Sequence, residues 1–141
     1  MNKPLTADEI IKRLNLKPHP EAAGSGRLSA IKRVTVIAPI RLPSSICSRP
    51  ARVARWHCVD ATEMFHWYGG APLLLEIKNG ETRHDYRLGP NWLKGEHPHA
   101  TVPARAWQRA HSLGAWTLVG CTVAPGFEFS GFEMAPEGWE P

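Results

Sequence analysis

Leu73-Leu74-Leu75-Glu76-Ile77-Lys78-Asn79-Gly80-Glu81-Thr82-Arg83-His84-Asp85-Tyr86-Arg87-Leu88 reads as two short extended runs joined at Asn79-Gly80. Asn-Gly tolerates the positive φ that a tight hairpin requires, so antiparallel strands are expected over 73–78 and 83–88. The same reading extends outward. Further strands are expected over 54–59, 64–68, 99–102, 106–111, 116–124 and 129–134, separated by Gly, Pro and Asn turns. Many short strands at such spacing mean a sandwich or a closed barrel. One short helix is expected over 5–14. Thr6 and Glu9 have the spacing of a capping box, and Ile10, Ile11 and Leu14 form an apolar stripe. Pro18 and Pro20 are expected to stop it.

At 141 residues the chain is expected to form one domain, residues 1–141. No apolar run approaches the roughly 20 residues that span a bilayer, so no membrane partner is expected. Residues 1–14 include Asp8 and Glu9 and no continuous apolar stretch, unlike a signal peptide. Cys47, Cys58 and Cys121 are an odd set without Cys-x-x-Cys spacing. That points to a reducing, cytoplasmic location and away from a disulfide framework or a zinc site.

The formal charge of +4 is unevenly distributed. Residues 22–53 hold Arg27, Lys32, Arg33, Arg41, Arg49 and Arg52 and no acid. Subtracting those six from +4 leaves −2 for the rest, so no nucleic-acid partner is expected. The same segment contains Pro39, Pro43 and Pro50 and no aromatic residue. It follows no clean period, and loops of such length are uncommon inside compact domains.

Several strings resemble one known family. They are Pro18-His19-Pro20-Glu21 and the run Arg55-Trp56-His57-Cys58-Val59-Asp60-Ala61-Thr62-Glu63-Met64-Phe65-His66-Trp67-Tyr68-Gly69-Gly70. Leu88-Gly89-Pro90, Val102-Pro103-Ala104, Trp107-Gln108 and Trp116-Thr117-Leu118-Val119-Gly120-Cys121-Thr122-Val123-Ala124-Pro125-Gly126-Phe127 continue them. Together they resemble cupin family 5, across nearly all of the chain outside the basic segment. The resemblance implies an all-β, RmlC-like jelly-roll barrel with one short N-terminal helix, commonly a homodimer. It implies little about a reaction.

The resemblance also bears on residues 22–53. Family members follow His-Pro-Glu with a pattern such as Gly-Gly-Trp-Phe-Arg-Glu-Thr-Phe-Arg-Asp. Plausible codons for that pattern, less one G of the first codon, translate as Ala-Ala-Gly-Ser-Gly-Arg-Leu-Ser-Ala, which is the sequence at 22–30. Plausible codons for 38–47, read one base earlier after the first, give Ala-His-Ser-Thr-Ser-Ile-Phe-Tyr-Leu, which resembles the family's next strand. The segment therefore reads as a frame-shifted version of two barrel strands, entered after Glu21 and left near Arg52 or Val53. Proline cannot donate to a ladder, so the sequence as written is expected to pair poorly in a sheet.

Metal-binding cupins take two histidines of an H-x-H pair, a nearby glutamate and a third histidine from a later P-x-G-x-x-H turn. By that resemblance His57 matches the second histidine and Glu63 the glutamate. Arg55 stands in place of the first histidine, and arginine is not a ligand. Gln108 stands in place of the third histidine and Arg105 in place of the turn glycine. What remains is a reduced set for a divalent metal, His57, Glu63 and Gln108, with His66 as a further donor. No cofactor is required by the sequence.

Three functions stay open. The first is a small-molecule-binding barrel, with a polar, ring-bearing ligand held inside by His57, Glu63, His66, Trp107 and Gln108. The second resembles the sugar-nucleotide epimerase branch of the cupins, an isomerase with His57 as base, Glu63 orienting it and Tyr68 as acid. The third is a metal-dependent cupin enzyme. The plainer reading of His57 and Glu63 is a hydrogen-bonded pair with no ligand. Along 64–68 a period of two puts His66 and Tyr68 on one face and Phe65 and Trp67 on the other, without saying which faces in. Trp56, Trp107 and Trp116 read chiefly as core, Cys121 as a buried apolar residue, and Cys58 as facing away from His57.

The frame-shifted reading makes its own expectation. Peptide mapping of the natural gene product across 22–53 should return the aromatic, acid-bearing family pattern. Peptides matching the written sequence would show that the chain truly carries the basic segment.

Overall fold

The computed structural model describes residues 5–15, 17–19, 22–28, 35–41, 55–124 and 129–141. One helix, α1 (Ala7–Arg13), precedes eleven strands: β1 (Lys17–His19), β2 (Ala22–Leu28), β3 (Thr35–Arg41), β4 (His57–Val59), β5 (Thr62–Gly70), β6 (Leu73–Asn79), β7 (Thr82–Leu88), β8 (His99–Val102), β9 (Trp107–Ser112), β10 (Trp116–Ala124) and β11 (Phe132–Met134). They form two antiparallel sheets, in the orders β1-β2-β3-β10-β5-β8 and β11-β4-β9-β6-β7. The expected all-β jelly roll is present.

Strand alternation builds the interior. In β9, Gln108, Ala110 and Ser112 are buried, whereas Trp107, Arg109 and His111 lie on the other face. In β10 the inward set is Thr117, Val119, Cys121 and Val123. Leu73, Leu75 and Ile77 of β6 meet Phe65 and Val119 from the opposite sheet in the main apolar cluster. A smaller cluster, Val59, Ala61 and Val123, has Phe132 packed against it. Cys121 is buried, as its apolar strand implies.

The β6–β7 hairpin forms, with Asn79 opposite Thr82, so the turn falls one residue later than the expected Asn79-Gly80. Its two central residues are Gly80 and Glu81, and of these only Gly80 takes positive φ, 58°. That places glycine at the first central position, as in a type II′ turn. The capping box also forms: Thr6 Oγ1 accepts from the Glu9 amide and the Thr6 amide donates to Glu9 Oε2. The helix ends sooner than the prolines require. Asn15 takes φ 51° just beyond it, a left-handed conformation that asparagine tolerates at a helix end. The Trp116 indole donates to the Leu5 carbonyl and ties this terminus to β10.

Two differences concern the remaining strands. The expected strand over 129–134 is a 3-10 turn, Phe129–Gly131, followed by β11. Within 22–53, β2 and β3 are paired strands, with Pro39 opposite Leu118 of β10. This corrects the expectation of poor pairing. Proline forfeits one ladder bond, while the flanking residues from Thr35 to Arg41 keep register with β10. Residues 29–34 and 42–54 of the segment, and Pro20, lie outside the described residues.

A charged cluster closes the outer face of the five-stranded sheet. Glu76 is only 4% exposed and accepts from Arg109 Nε (2.6 Å), Arg109 Nη2 (3.1 Å) and Arg83. Arg109 lies over the Trp56 ring, 4.7 Å from its centroid, and the Trp56 indole donates to Glu140. Hydrogen bonds from Arg109 hold the Glu76 carboxyl below the usual carboxylate range. Burial opposes them, and the charges of Arg109, Arg83 and His111 add to them. A depressed folded value means full stabilisation above the unfolded carboxylate value, lost as pH falls through the folded one. Glu76→Ala should cost roughly 2 kcal/mol in urea unfolding at pH 7, because Arg109 loses its charge-assisted bonds to Glu76 and keeps Glu140. The gap between the variant and wild type should narrow in acid.

Candidate functional site

The site starts from two strands of one sheet. His57 of β4 lies directly opposite Gln108 of β9, so the two side chains share a face. That face is the interior, because Gln108 alternates with the exposed side of β9 and is 1% exposed. Glu63 comes from β5 in the other sheet, flanked in register by Val102 and Val123. Gln108 Nε2 donates to Glu63 Oε2 at 2.7 Å. One side-chain hydrogen bond thus spans the space between the sheets, with the main cluster on one side and the smaller cluster on the other.

The other atoms of this group are less satisfied. Gln108 Oε1 is buried and has no hydrogen-bond partner among the described residues. An amide that turns its nitrogen to a carboxylate must turn its oxygen away, and an unmet buried acceptor costs about 1–3 kcal/mol. His57 Nδ1 lies 3.2 Å from the Arg55 carbonyl. A carbonyl only accepts, so Nδ1 carries the proton and Nε2 is the basic nitrogen. The His57 ring also lies beside Phe132, with centroids 5.5 Å apart.

The structure brings His57, Glu63 and Gln108 together and leaves three expected partners outside. Along β5, Phe65 and Trp67 pack into the core with Glu63 on their side, so His66 and Tyr68 face outward. Tyr68 is 51% exposed and its ring lies over Gly120, where a Cβ would come within 2.5 Å. It cannot serve as the acid for His57. His66 stacks on Tyr68 and meets Thr122 Oγ1 at 3.1 Å, away from the interior group. Trp107 faces out of β9 and packs on Trp139, with centroids 4.7 Å apart. All three corrections follow from the two-residue period of a strand, which sends neighbours to opposite faces. A fourth concerns orientation: the ring of His57 is held by the Arg55 carbonyl, while Glu63 holds Gln108. Cys58 faces Glu133 instead of the interior, as expected.

Phe132 was missed at the sequence level, because it joins His57 through β11–β4 pairing across a large sequence separation. Arg105 stands in place of a turn glycine. It keeps a glycine-like φ of 65° in the turn before β9, a conformation that non-glycine residues rarely adopt.

The residues do not fit the metal centre of metal-binding cupins. Gln108 puts a neutral amide, a weak ligand, where those cupins have an imidazole, and turns its nitrogen to Glu63. Arg55 adds a cation in place of a ligand. Among the described residues, no three His, Cys, Asp or Glu side chains gather as a metal group. No helix of the described residues is long and apolar enough to cross a membrane.

The comparisons agree with this architecture. The family model described as Cupin superfamily (DUF985) matches residues 45–135. The chain belongs to this cupin family. Its match begins at residue 45, so most of the basic segment precedes it. Among solved structures, a Shewanella oneidensis protein is 25% identical with a TM-score of 0.79, covering 94% of this chain and 85% of its own. A hypothetical protein from Leishmania major is 23% identical with a TM-score of 0.77, covering 92% and 86%. A dTDP sugar isomerase from Desulfovibrio desulfuricans is 14% identical with a TM-score of 0.56, covering 74% and 64%, a likeness of fold alone. No curated protein matches the sequence.

The outward histidine has a testable property. Burial lowers the pKa of His66, and the facing His99 lowers it further. Because charging it disfavours the folded state, stability should rise with pH between the folded and unfolded values. An NMR titration should place the His66 midpoint below that of an exposed histidine, and His99→Ala should raise it.

Proposed function

We propose that this cupin is a small-molecule-binding barrel whose ligand sits between the sheets on His57, Glu63 and Gln108. The observation that carries this is the buried, unpartnered Gln108 Oε1 beside the Gln108–Glu63 bond. Folding leaves such an atom unmet at a cost, and a bound ligand would supply the missing partner. A purely structural pair would instead be expected to satisfy its own buried atoms.

Binding is preferred over isomerase chemistry for one reason. Proton transfer on both faces of a substrate needs a second group opposite His57, and Tyr68 is on the outside of β5. No catalytic step is assigned. A metal-dependent reaction is not proposed, given the donor set. Cytoplasmic location and a homodimer belong to the same proposal, the second from family resemblance. Light scattering of the purified chain should give twice the mass of one chain.

Replacing Gln108 separates a binding site from a structural pair. Gln108→Met removes the orphaned oxygen together with the bond to Glu63, which is half-buried and can rehydrate. Thermal unfolding should show a change within about 1 kcal/mol. A ligand found by thermal-shift screening of wild type should no longer stabilise the variant. A loss of more than about 2 kcal/mol, with ligand stabilisation intact, would assign the pair a structural role instead.

A further inference from the structure

Resting on that binding reading, we infer that the group held in the interior is a neutral hydroxyl-bearing ring, of the carbohydrate or cyclic polyol class. Gln108 gives one N–H to Glu63, and its Oε1 is left without a partner among the described residues. Glu63 has a second carboxylate oxygen, and His57 offers the Nε2 lone pair. Each of the three thus presents an acceptor, and Gln108 keeps a second N–H.

That pattern selects a ligand by chemistry. A carboxylate brings no hydrogen to Gln108 Oε1, and a carboxylate or a phosphate alike sets like charge beside Glu63. A hydrocarbon leaves Oε1 as unmet as before. A hydroxyl donates to any of the three, and it stays neutral beside the carboxylate. Phe132, next to His57 on the paired strand β11, adds an apolar surface. A saturated ring with O–H edges and a C–H face meets both requirements. An amine would satisfy the acceptors but has no C–H face to set on the phenyl ring.

The test uses the full chain and saturation-transfer NMR, with affinities from titration. The probes are methyl α-D-glucopyranoside, myo-inositol, sodium acetate, inorganic phosphate, ethylamine hydrochloride and manganese(II) chloride, each alone. A hydroxylated ring should bind wild type and lose about tenfold in affinity in Gln108→Met, the equivalent of one hydrogen bond. Glu63→Gln, which keeps the size and an acceptor oxygen, should retain most of the binding and guards against a misfolded first variant. Binding of acetate, phosphate, ethylamine or manganese that depends on Gln108, without binding of either ring, would overturn the ligand class and leave the interior site standing. Ring binding unchanged in both variants, or no binding by any probe at millimolar concentration, would overturn the class and the interior site together.

Discussion

The hydrogen bond from Gln108 to Glu63 joins the two sheets, which meet elsewhere through apolar side chains and the buried Ser112–Thr117 hydroxyl pair. It requires β9 and β5 to present a polar residue at the same depth, and it is made where both strands are flanked by valine and alanine. A one-residue slip of either strand would send its partner to the outside. The bond therefore ties strand register to the position of the polar group, and it decides which amide atom of Gln108 is left over.

The two outer faces contrast with this interior. On the five-stranded sheet, Glu76 is enclosed by Arg83, Arg109 and His111, and Arg109 reaches on to Trp56 and Glu140. Trp139 packs on Trp107 close by, so the C-terminal residues cover this sheet from outside. Charge is satisfied there by several partners at once, which keeps a buried carboxylate ionised. On the six-stranded sheet, Tyr68 lies over Gly120 and against His66. Glycine at 120 makes room for that ring. Polar atoms on both outer faces find protein partners, whereas Gln108 Oε1 inside does not.

The two departures from the motif of metal-binding cupins do more than remove ligands. Gln108 in place of histidine converts a lone-pair donor into a group that donates to Glu63 first. Arg55 in place of the other histidine offers its backbone carbonyl to His57 and its guanidinium to the Ala135 carbonyl. Both residues are thus absorbed into fixing neighbours. The interior that results sets an amide and an imidazole beside one carboxylate.

Much of this was legible in one dimension. Asn79-Gly80, the turn spacing and the alternation of 107–112 determine the hairpin, the all-β class and the inward position of Gln108 relative to Trp107, because strand geometry has a period of two. Thr6 and Glu9 determine the start of the helix through a local bond. His57, Glu63 and Gln108 could be chosen from the family motif. Alternation sorts His66 with Tyr68 but does not name the face. Only packing did that, by burying Phe65 and Trp67 against the opposite sheet. The Gln108–Glu63 bond, the nearness of Phe132 and the enclosure of Glu76 also belong to tertiary structure. Each joins strands far apart in sequence, and pairing across sheets is set by the closure of the whole barrel.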